Sequence, residues 1–177
     1  MVQTLPVGSE PALVAVNRLS GEAYVSLHGA GRVAVIDRAG TVSQVDLYSA
    51  GPYGVAVDTQ RNLVYVATIE IARIAVLDGS TDTFLGWVEV RETPGGALVP
   101  LRMVAIDPLV GTSGHLFVTT AGSDGGWDKL LVFSKGWPES LGQPYTFDLD
   151  EPREGIAFDL VAFRVWVTSR ADDRLIA

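Results

Sequence analysis

Short runs of alternating apolar residues recur along the chain at a long, regular interval. Val14-Ala15-Val16-Asn17, Val55-Ala56-Val57-Asp58, Val104-Ala105-Ile106-Asp107 and Ile156-Ala157-Phe158-Asp159 are one pattern, 41, 49 and 52 residues apart. Each is followed by an aromatic-led run: Tyr24-Val25-Ser26, Tyr65-Val66-Ala67, Phe117-Val118-Thr119 and Trp166-Val167-Thr168. A basic residue then opens a third apolar run, at Arg32, Arg73, Lys129 and Arg174. Alternation at period two with β-branched and aromatic residues predicts strands. A repeat of about 40 to 50 residues made of short strands predicts the blades of a β-propeller.

Each unit reads as four strands. The first is predicted at Leu13 to Asn17, Gly54 to Asp58, Met103 to Asp107 and Gly155 to Asp159. Its central alanine (Ala15, Ala56, Ala105, Ala157) suits the innermost strand, where blades converge and small side chains fit. The second strand carries the large residue, farther out where more volume must be filled. The third is predicted at Arg32 to Asp37, Arg73 to Asp78, Lys129 to Ser134 and Arg174 to Ala177. The fourth falls at Thr41 to Tyr48, Thr83 to Val90 and Tyr145 to Leu149. Turn residues separate them at Ser20-Gly21, Ala39-Gly40, Gly79-Ser80 and Gly111 to Gly114. No helix is predicted; a short turn is expected at Trp137-Pro138-Glu139-Ser140.

The expected fold is therefore all-β: a propeller of four-stranded antiparallel blades, about four present, the last incomplete at the C-terminus. Residues 1–177 form one propeller or partial-propeller domain, with repeats at about 11–48, 52–90, 100–149 and 152–177. Residues 2–7 read as an outermost strand of the last or a preceding blade. Either that strand closes a four-bladed ring, or the chain is part of a larger propeller. The stop within a third strand favours the larger propeller, whose unclosed edges would self-associate.

Composition narrows the function classes. The formal net charge is −8, and the 13 basic residues are scattered. Binding to nucleic acid needs clustered Lys and Arg, so it is not expected. No apolar stretch approaches the roughly 18 residues of a membrane span, and none is a secretory leader. With no cysteine, disulfides, zinc-thiolate sites and cysteine nucleophiles are excluded.

The second-strand runs Tyr24-Val25-Ser26, Tyr65-Val66-Ala67 and Trp166-Val167-Thr168 resemble the YVTN family of β-propeller repeats. The third strands Val33-Ala34-Val35-Ile36-Asp37 and Ile74-Ala75-Val76-Leu77-Asp78 fit its Val-x-Val-Ile-Asp form. The lead-ins Gly8-Ser9-Glu10-Pro11 and Gly51-Pro52-Tyr53-Gly54-Val55-Ala56-Val57 fit its start. The likeness covers nearly the whole chain and is loose in unit three, where Gly111 to Gly114 and Ser123 to Asp128 lengthen two loops. Leu27, Thr68, Thr120 and Ser169 stand where the family's fourth position is Asn. This resemblance implies a propeller of extracellular or periplasmic setting; some similar propellers are lactonases or carry redox cofactors. Fold alone does not carry function.

Candidate chemistry is sparse. Gly29-Ala30-Gly31-Arg32-Val33-Ala34 matches a dinucleotide-binding pattern, but a strand follows where a helix is required, so it reads as a turn. His28 ends a second strand and His115 begins one, so they do not form a metal cluster and read as loop-edge imidazoles. Asp148, Asp150, Glu151 and Glu154, with Arg153 among them, read as a solvated turn, as do Asp172 and Asp173. The serines near glycine lack both an elbow motif and a base at any recognised spacing.

Architecture supplies the better candidates. Loops leading into each innermost strand open on the central channel. The equivalent positions there are Ala12, Tyr53, Arg102 and Glu154, which differ while the scaffold repeats. Trp127, in a long loop, joins Tyr53, Arg102 and Glu154 as a ligand-binding candidate. No catalytic residue and no resident metal are expected. The reading is a binding or scaffold propeller with a protein or small-molecule partner. The alternative is a lactonase-like hydrolase with calcium at the channel mouth.

Overall fold

The computed structural model describes residues 4–48, 51–91, 96, 99–107, 114–120, 128–134, 144–149, 153–159, 161–169 and 174–177. Fifteen strands form four antiparallel sheets in chain order. The first sheet comprises β1 (Pro11–Val16), β2 (Ala23–Leu27), β3 (Arg32–Ile36) and β4 (Val42–Asp46). The second comprises β5 (Pro52–Asp58), β6 (Leu63–Thr68), β7 (Arg73–Asp78) and β8 (Thr83–Glu89). The third comprises β9 (Leu101–Ile106), β10 (His115–Thr120), β11 (Asp128–Ser134) and β12 (Tyr145–Leu149). The fourth has three strands, β13 (Arg153–Asp159), β14 (Arg164–Ser169) and β15 (Arg174–Ile176). Each sheet is an up-and-down meander, and the fold is a β-propeller of such blades with an incomplete last one.

Two expectations need correction. Each first strand starts two residues earlier than its alternation suggests, at Pro11, Pro52, Leu101 and Arg153. The described part of the expected outermost strand, residues 4–7, makes no strand. Val7 instead packs on the first blade beside Ile36 and Val42, and its carbonyl accepts a hydrogen bond from Gln44 Nε2 at 2.9 Å. A single 3-10 turn, His28–Ala30, joins β2 to β3. It ends at Gly31, whose φ of 63° is left-handed backbone that glycine adopts without a Cβ clash. The strand that follows confirms that this glycine pair makes a connector. The expected turn at Trp137 to Ser140 lies outside the described residues.

Blades pack face to face. Tyr24, Val33 and Val35 of blade one meet Val64, Val66, Ala75 and Leu77 of blade two. The other face of blade two, with Tyr65, Ile74 and Val76, meets Val104, Leu116, Leu131 and Phe133 of blade three. Tyr24 and Tyr65 are wholly buried, as the size of the second-strand aromatics demands. Phe117 stacks on Phe158 at 5.4 Å between blades three and four. Inner strands follow in order, β1 on β5, β5 on β9 and β9 on β13, and β13 makes no comparable contact with β1. The described residues thus trace an arc, with Val14, Val16 and Leu175 exposed on its end faces.

Candidate functional site

One end of every blade gathers the loops before the first strand and those between the second and third. The register brackets it: Pro11 lies opposite Leu27, Pro52 opposite Thr68, Leu101 opposite Thr120 and Arg153 opposite Ser169. This is the end where the sequence places the mouth of the channel, and it is called the mouth below.

At the mouth all four first strands bulge. Between Pro11 and Val14, the two residues Ala12 and Leu13 oppose Ser26. Tyr53 and Gly54 likewise oppose Ala67. Arg102 is the extra residue between Leu101 and Met103, and Glu154 between Arg153 and Gly155. A bulge leaves one residue out of the ladder and re-aims its side chain. The second strand supplies what the ladder loses. Leu13 N donates to Ser26 Oγ at 3.1 Å, and Met103 N donates to Thr119 Oγ1 at 3.2 Å. In blade four a Cβ added to Gly155 would fall 2.9 Å from Thr168 Oγ1. The third position of the repeated Tyr-Val motif is small or hydroxylated because it sits against the bulge.

The fourth position closes the mouth turns. Thr68 Oγ1 donates to the Arg73 carbonyl at 2.7 Å and accepts from Arg73 N at 3.3 Å. Thr120 Oγ1 accepts from Lys129 N at 3.0 Å. These threonines tie the second strand to the third across the loop. A backbone clasp repeats as well: His28 N donates to Glu10 O and Ile69 N to Gly51 O, both at 2.9 Å.

Tyr53 and Arg102, both half-buried, occupy adjacent bulges. Ser26 Oγ of the first blade donates to the Tyr53 carbonyl at 2.6 Å. The His28 ring stands edge-on to the Tyr53 ring, 6.1 Å away. A Cβ on Gly54 would lie 2.7 Å from both Arg102 O and Met103 Cα, so the β5 and β9 backbones touch here. Only glycine permits that approach. Arg102 Nε and His28 Nδ1 are shielded from solvent without a hydrogen-bond partner. Glu10 borders the same rim, its carboxylate against Gly29, and Glu70 borders the next, against Gly51. Glu154 occupies the bulge of β13 by its backbone; its side chain, like the whole of Trp127, Asp150, Glu151, Asp172 and Asp173, lies outside the described residues.

The opposite end is built for closure. Asn17 Oδ1 accepts from Leu19 N and Ser20 N, Asp58 Oδ1 from Gln60 N and Arg61 N, and Asp159 Oδ1 from Val161 N and Ala162 N. The shared Asx residue of units one, two and four thus folds the turn after the first strand. Asn17 Nδ2 also donates to Asn62 Oδ1 of the next blade at 2.6 Å. Tyr24 OH donates to Asp82 Oδ1, again one blade on, at 2.8 Å. Burial raises the Tyr24 hydroxyl well above the usual phenol range, and the Asp82 carboxylate beside it adds to the rise. Desolvation raises Asp82 in turn, against the lowering effect of the Tyr24 bond. His115 lies at this end, 3.4 Å from Asp107, so the two histidines are at opposite ends of the blades.

Sequence reasoning passed over His28, because its contact with Tyr53 joins two different blades. Its place two residues beyond the third motif position is the signal that could have found it. Among the described residues no three His, Asp or Glu side chains group as a metal site requires. No helix among them is long and apolar enough to cross a membrane. A cleft of about 590 Å³ between blades three and four is lined by Phe117, Tyr145, Phe147, Phe163 and Val165. It flanks the short strand β15 and carries few polar groups.

No protein-family model matches the chain, and no curated protein matches it in sequence. Solved structures do match. A gluconolactonase from Xanthomonas campestris superposes with a TM-score of 0.69 at 16% identity, over 93% of this chain and 55% of that one. Virginiamycin B lyase from Staphylococcus aureus gives 0.67 at 12%, over 97% and 56%. The β-propeller domain of Cps50 (Swd1) from Myceliophteria thermophila gives 0.63 at 9%, over 100% and 57%. The likeness is one of fold, the β-propeller. The chain spans little more than half the length of these three structures.

Proposed function

We propose that this chain is a ligand-binding section of a β-propeller of YVTN type, with recognition at the channel mouth by Tyr53 and Arg102. One observation carries the reading. The same bulge recurs in all four first strands, and the residue that occupies it differs each time: Ala12, Tyr53, Arg102, Glu154. A scaffold that repeats its geometry while varying the side chain it presents is built to vary what it touches. Glu154 belongs to this set by position, and Trp127 by its place in a long loop. The partner is a small molecule or a protein segment that enters the mouth.

Two of the matched propellers carry enzyme names and one is a propeller domain, so the fold favours neither class. A lactonase-like hydrolase would need several oxygen donors from different blades around one cation. The described residues group no such set. The binding reading therefore uses fewer parts than the chain visibly has.

A small-molecule library screened by amide-resolved NMR tests the proposal. Hits should shift the amides of residues 27–31, 53–54 and 101–103 and leave those of 17–22 and 58–62 in place. Hits that map to the far end overturn it. Calcium-dependent lactone turnover, lost on removing the metal, would move the assignment to the hydrolase.

A further inference from the structure

Five arginines whose side chains are described are answered. Arg32 pairs with Asp46 at 3.4 Å, Arg61 with Asp58 at 3.2 Å, and Arg73 and Arg91 both with Glu89, at 3.1 and 2.9 Å. Arg38 donates to the carbonyls of Leu19 and Ser20. Arg102 differs. It is half-buried, its Nε is shielded, and among the described residues it has neither an ion pair nor a hydrogen bond. Withdrawing part of a guanidinium from water without a partner is costly, and such a group calls for an explanation.

Its neighbour is also unanswered. The Tyr53 hydroxyl makes no hydrogen bond among the described residues, although Ser26 holds the Tyr53 backbone and His28 braces its ring. Tyr53 and Arg102 stand in the same bulge of adjacent blades, where Gly54 lets the two backbones touch. Two donors with no acceptor among the described residues, one a planar cation, thus belong to neighbouring bulges of the mouth.

The geometry points to a carboxylate-bearing small molecule as the ligand, its oxygens shared between the Arg102 guanidinium and the Tyr53 hydroxyl. This rests on the mouth being the binding face. An Arg fork matches a planar carboxylate, and charge-assisted hydrogen bonds are the strong ones. The surroundings choose among oxyanions. Glu10 and Glu70 border the rim, and the chain carries a net charge of −8. That field opposes a doubly charged phosphate more than a singly charged carboxylate group. His28 acts as a positioning residue for Tyr53.

The test is an NMR titration of the full chain at constant ionic strength with three probes: acetate, its neutral analogue acetamide, and inorganic phosphate. Acetate should shift the amides of Tyr53, Gly54 and Met103 saturably; acetamide should not, and phosphate should bind more weakly than acetate. Arg102→Gln should weaken acetate at least about tenfold and Tyr53→Phe about threefold to fivefold. Arg32→Gln, which removes an exposed paired arginine, should leave it unchanged. His28→Ala should weaken acetate less than Tyr53→Phe does and should disturb the Tyr53 ring resonances, which a purely structural loss elsewhere would not. Equal binding of acetate and acetamide at the mouth overturns the anion assignment and leaves the mouth as a binding face. So does undiminished acetate binding by a folded Arg102→Gln chain. Tighter phosphate than acetate overturns the choice of carboxylate. Library hits confined to the far end, with no acetate shift, overturn both readings together.

Discussion

The two ends of each blade are made from the same strands and behave oppositely. At the far end the residue after the first strand is Asn or Asp in every unit, and its side chain folds the next turn through backbone amides in blades one, two and four. At the mouth the four bulged residues have nothing chemical in common. The far end is determined by what its own backbone needs. The mouth meets its backbone needs with a neighbouring hydroxyl, Ser26 or Thr119, and so frees the bulged side chain for another use. Separating support from presentation in this way lets one blade design carry different surfaces.

The limit of that freedom is Gly54, beside Tyr53. Gly54→Ala should be the most damaging change, about 3 kcal/mol, since the new methyl meets β9 backbone rather than a side chain that can move. Chemical denaturation measures it; a loss under about 1 kcal/mol would show that the mouth seam is loose and its placement of Arg102 imprecise. Asp58→Ala should follow at about 2 kcal/mol, because the buried carboxylate accepts from two turn amides and from Arg61. Acetate affinity should not change, and a change would deny that the two ends are separable. Thr68→Val keeps the shape and removes the bonds to Arg73, for about 1 kcal/mol. Its effect should appear as faster amide exchange at Arg73, at the mouth.

Acid should loosen the turns of the far end and, on the outer strand at the mouth end, the Glu89 carboxyl that Arg91 and Arg73 hold low. Asp37 is held below the ordinary carboxylate value of 3.8 by hydrogen bonds led by the Thr41 amide, Asp78 by Ser80, and Asp159 by the amides of Ala162 and Val161. A carboxyl lowered in the folded chain contributes stability above its unfolded value, lost as pH falls through the folded one. Asp82 has the opposite sign: raised by burial, it favours the folded chain at low pH and loses that contribution as pH rises through its folded value. Amide exchange at Ala39, Thr41, Ser80, Val161 and Ala162 should therefore quicken below pH 3.8 before that at Leu13 or Met103 does. Asp37 is exposed and Asp78 and Asp159 are only half-buried, so the effect is small at each turn.

Much of this was legible in the residues. Four copies of one pattern gave the sheets, and the strands paired in the expected order because alternation marks which face is buried. The bulge was not legible, and the strand starts show why. Alternation begins cleanly at Leu13, Gly54, Met103 and Gly155, the residues that follow or complete each bulge. The two residues before them break the period and look like loop, yet they belong to the strand. The mouth positions were picked out by their variation against a constant frame, and Gly54 brings the strand that carries Tyr53 against the backbone of Arg102. His28 was missed because the Tyr53 ring that engages it comes from another blade, 25 positions along. The hydroxyls at Thr68 and Thr120 looked like departures from a motif. Each is a hydrogen-bonding group placed where the backbone lacks a partner.

Ala12 offers the finest test of the contrast. It fills the blade-one bulge with the smallest of the four side chains, beside Leu13, whose amide is already satisfied by Ser26. Nothing in the ladder depends on its methyl. Ala12→Arg should therefore change stability by no more than about 0.5 kcal/mol, as a surface substitution does, although it lies within a strand. The matching change one strand-length away, Asn17→Arg, should cost several times as much. It removes an acceptor for two turn amides and the 2.6 Å bond to Asn62, at a fully buried position. Comparable losses from the two variants would mean that the bulge side chain supports the blade after all, and the division of labour between the two ends would fall.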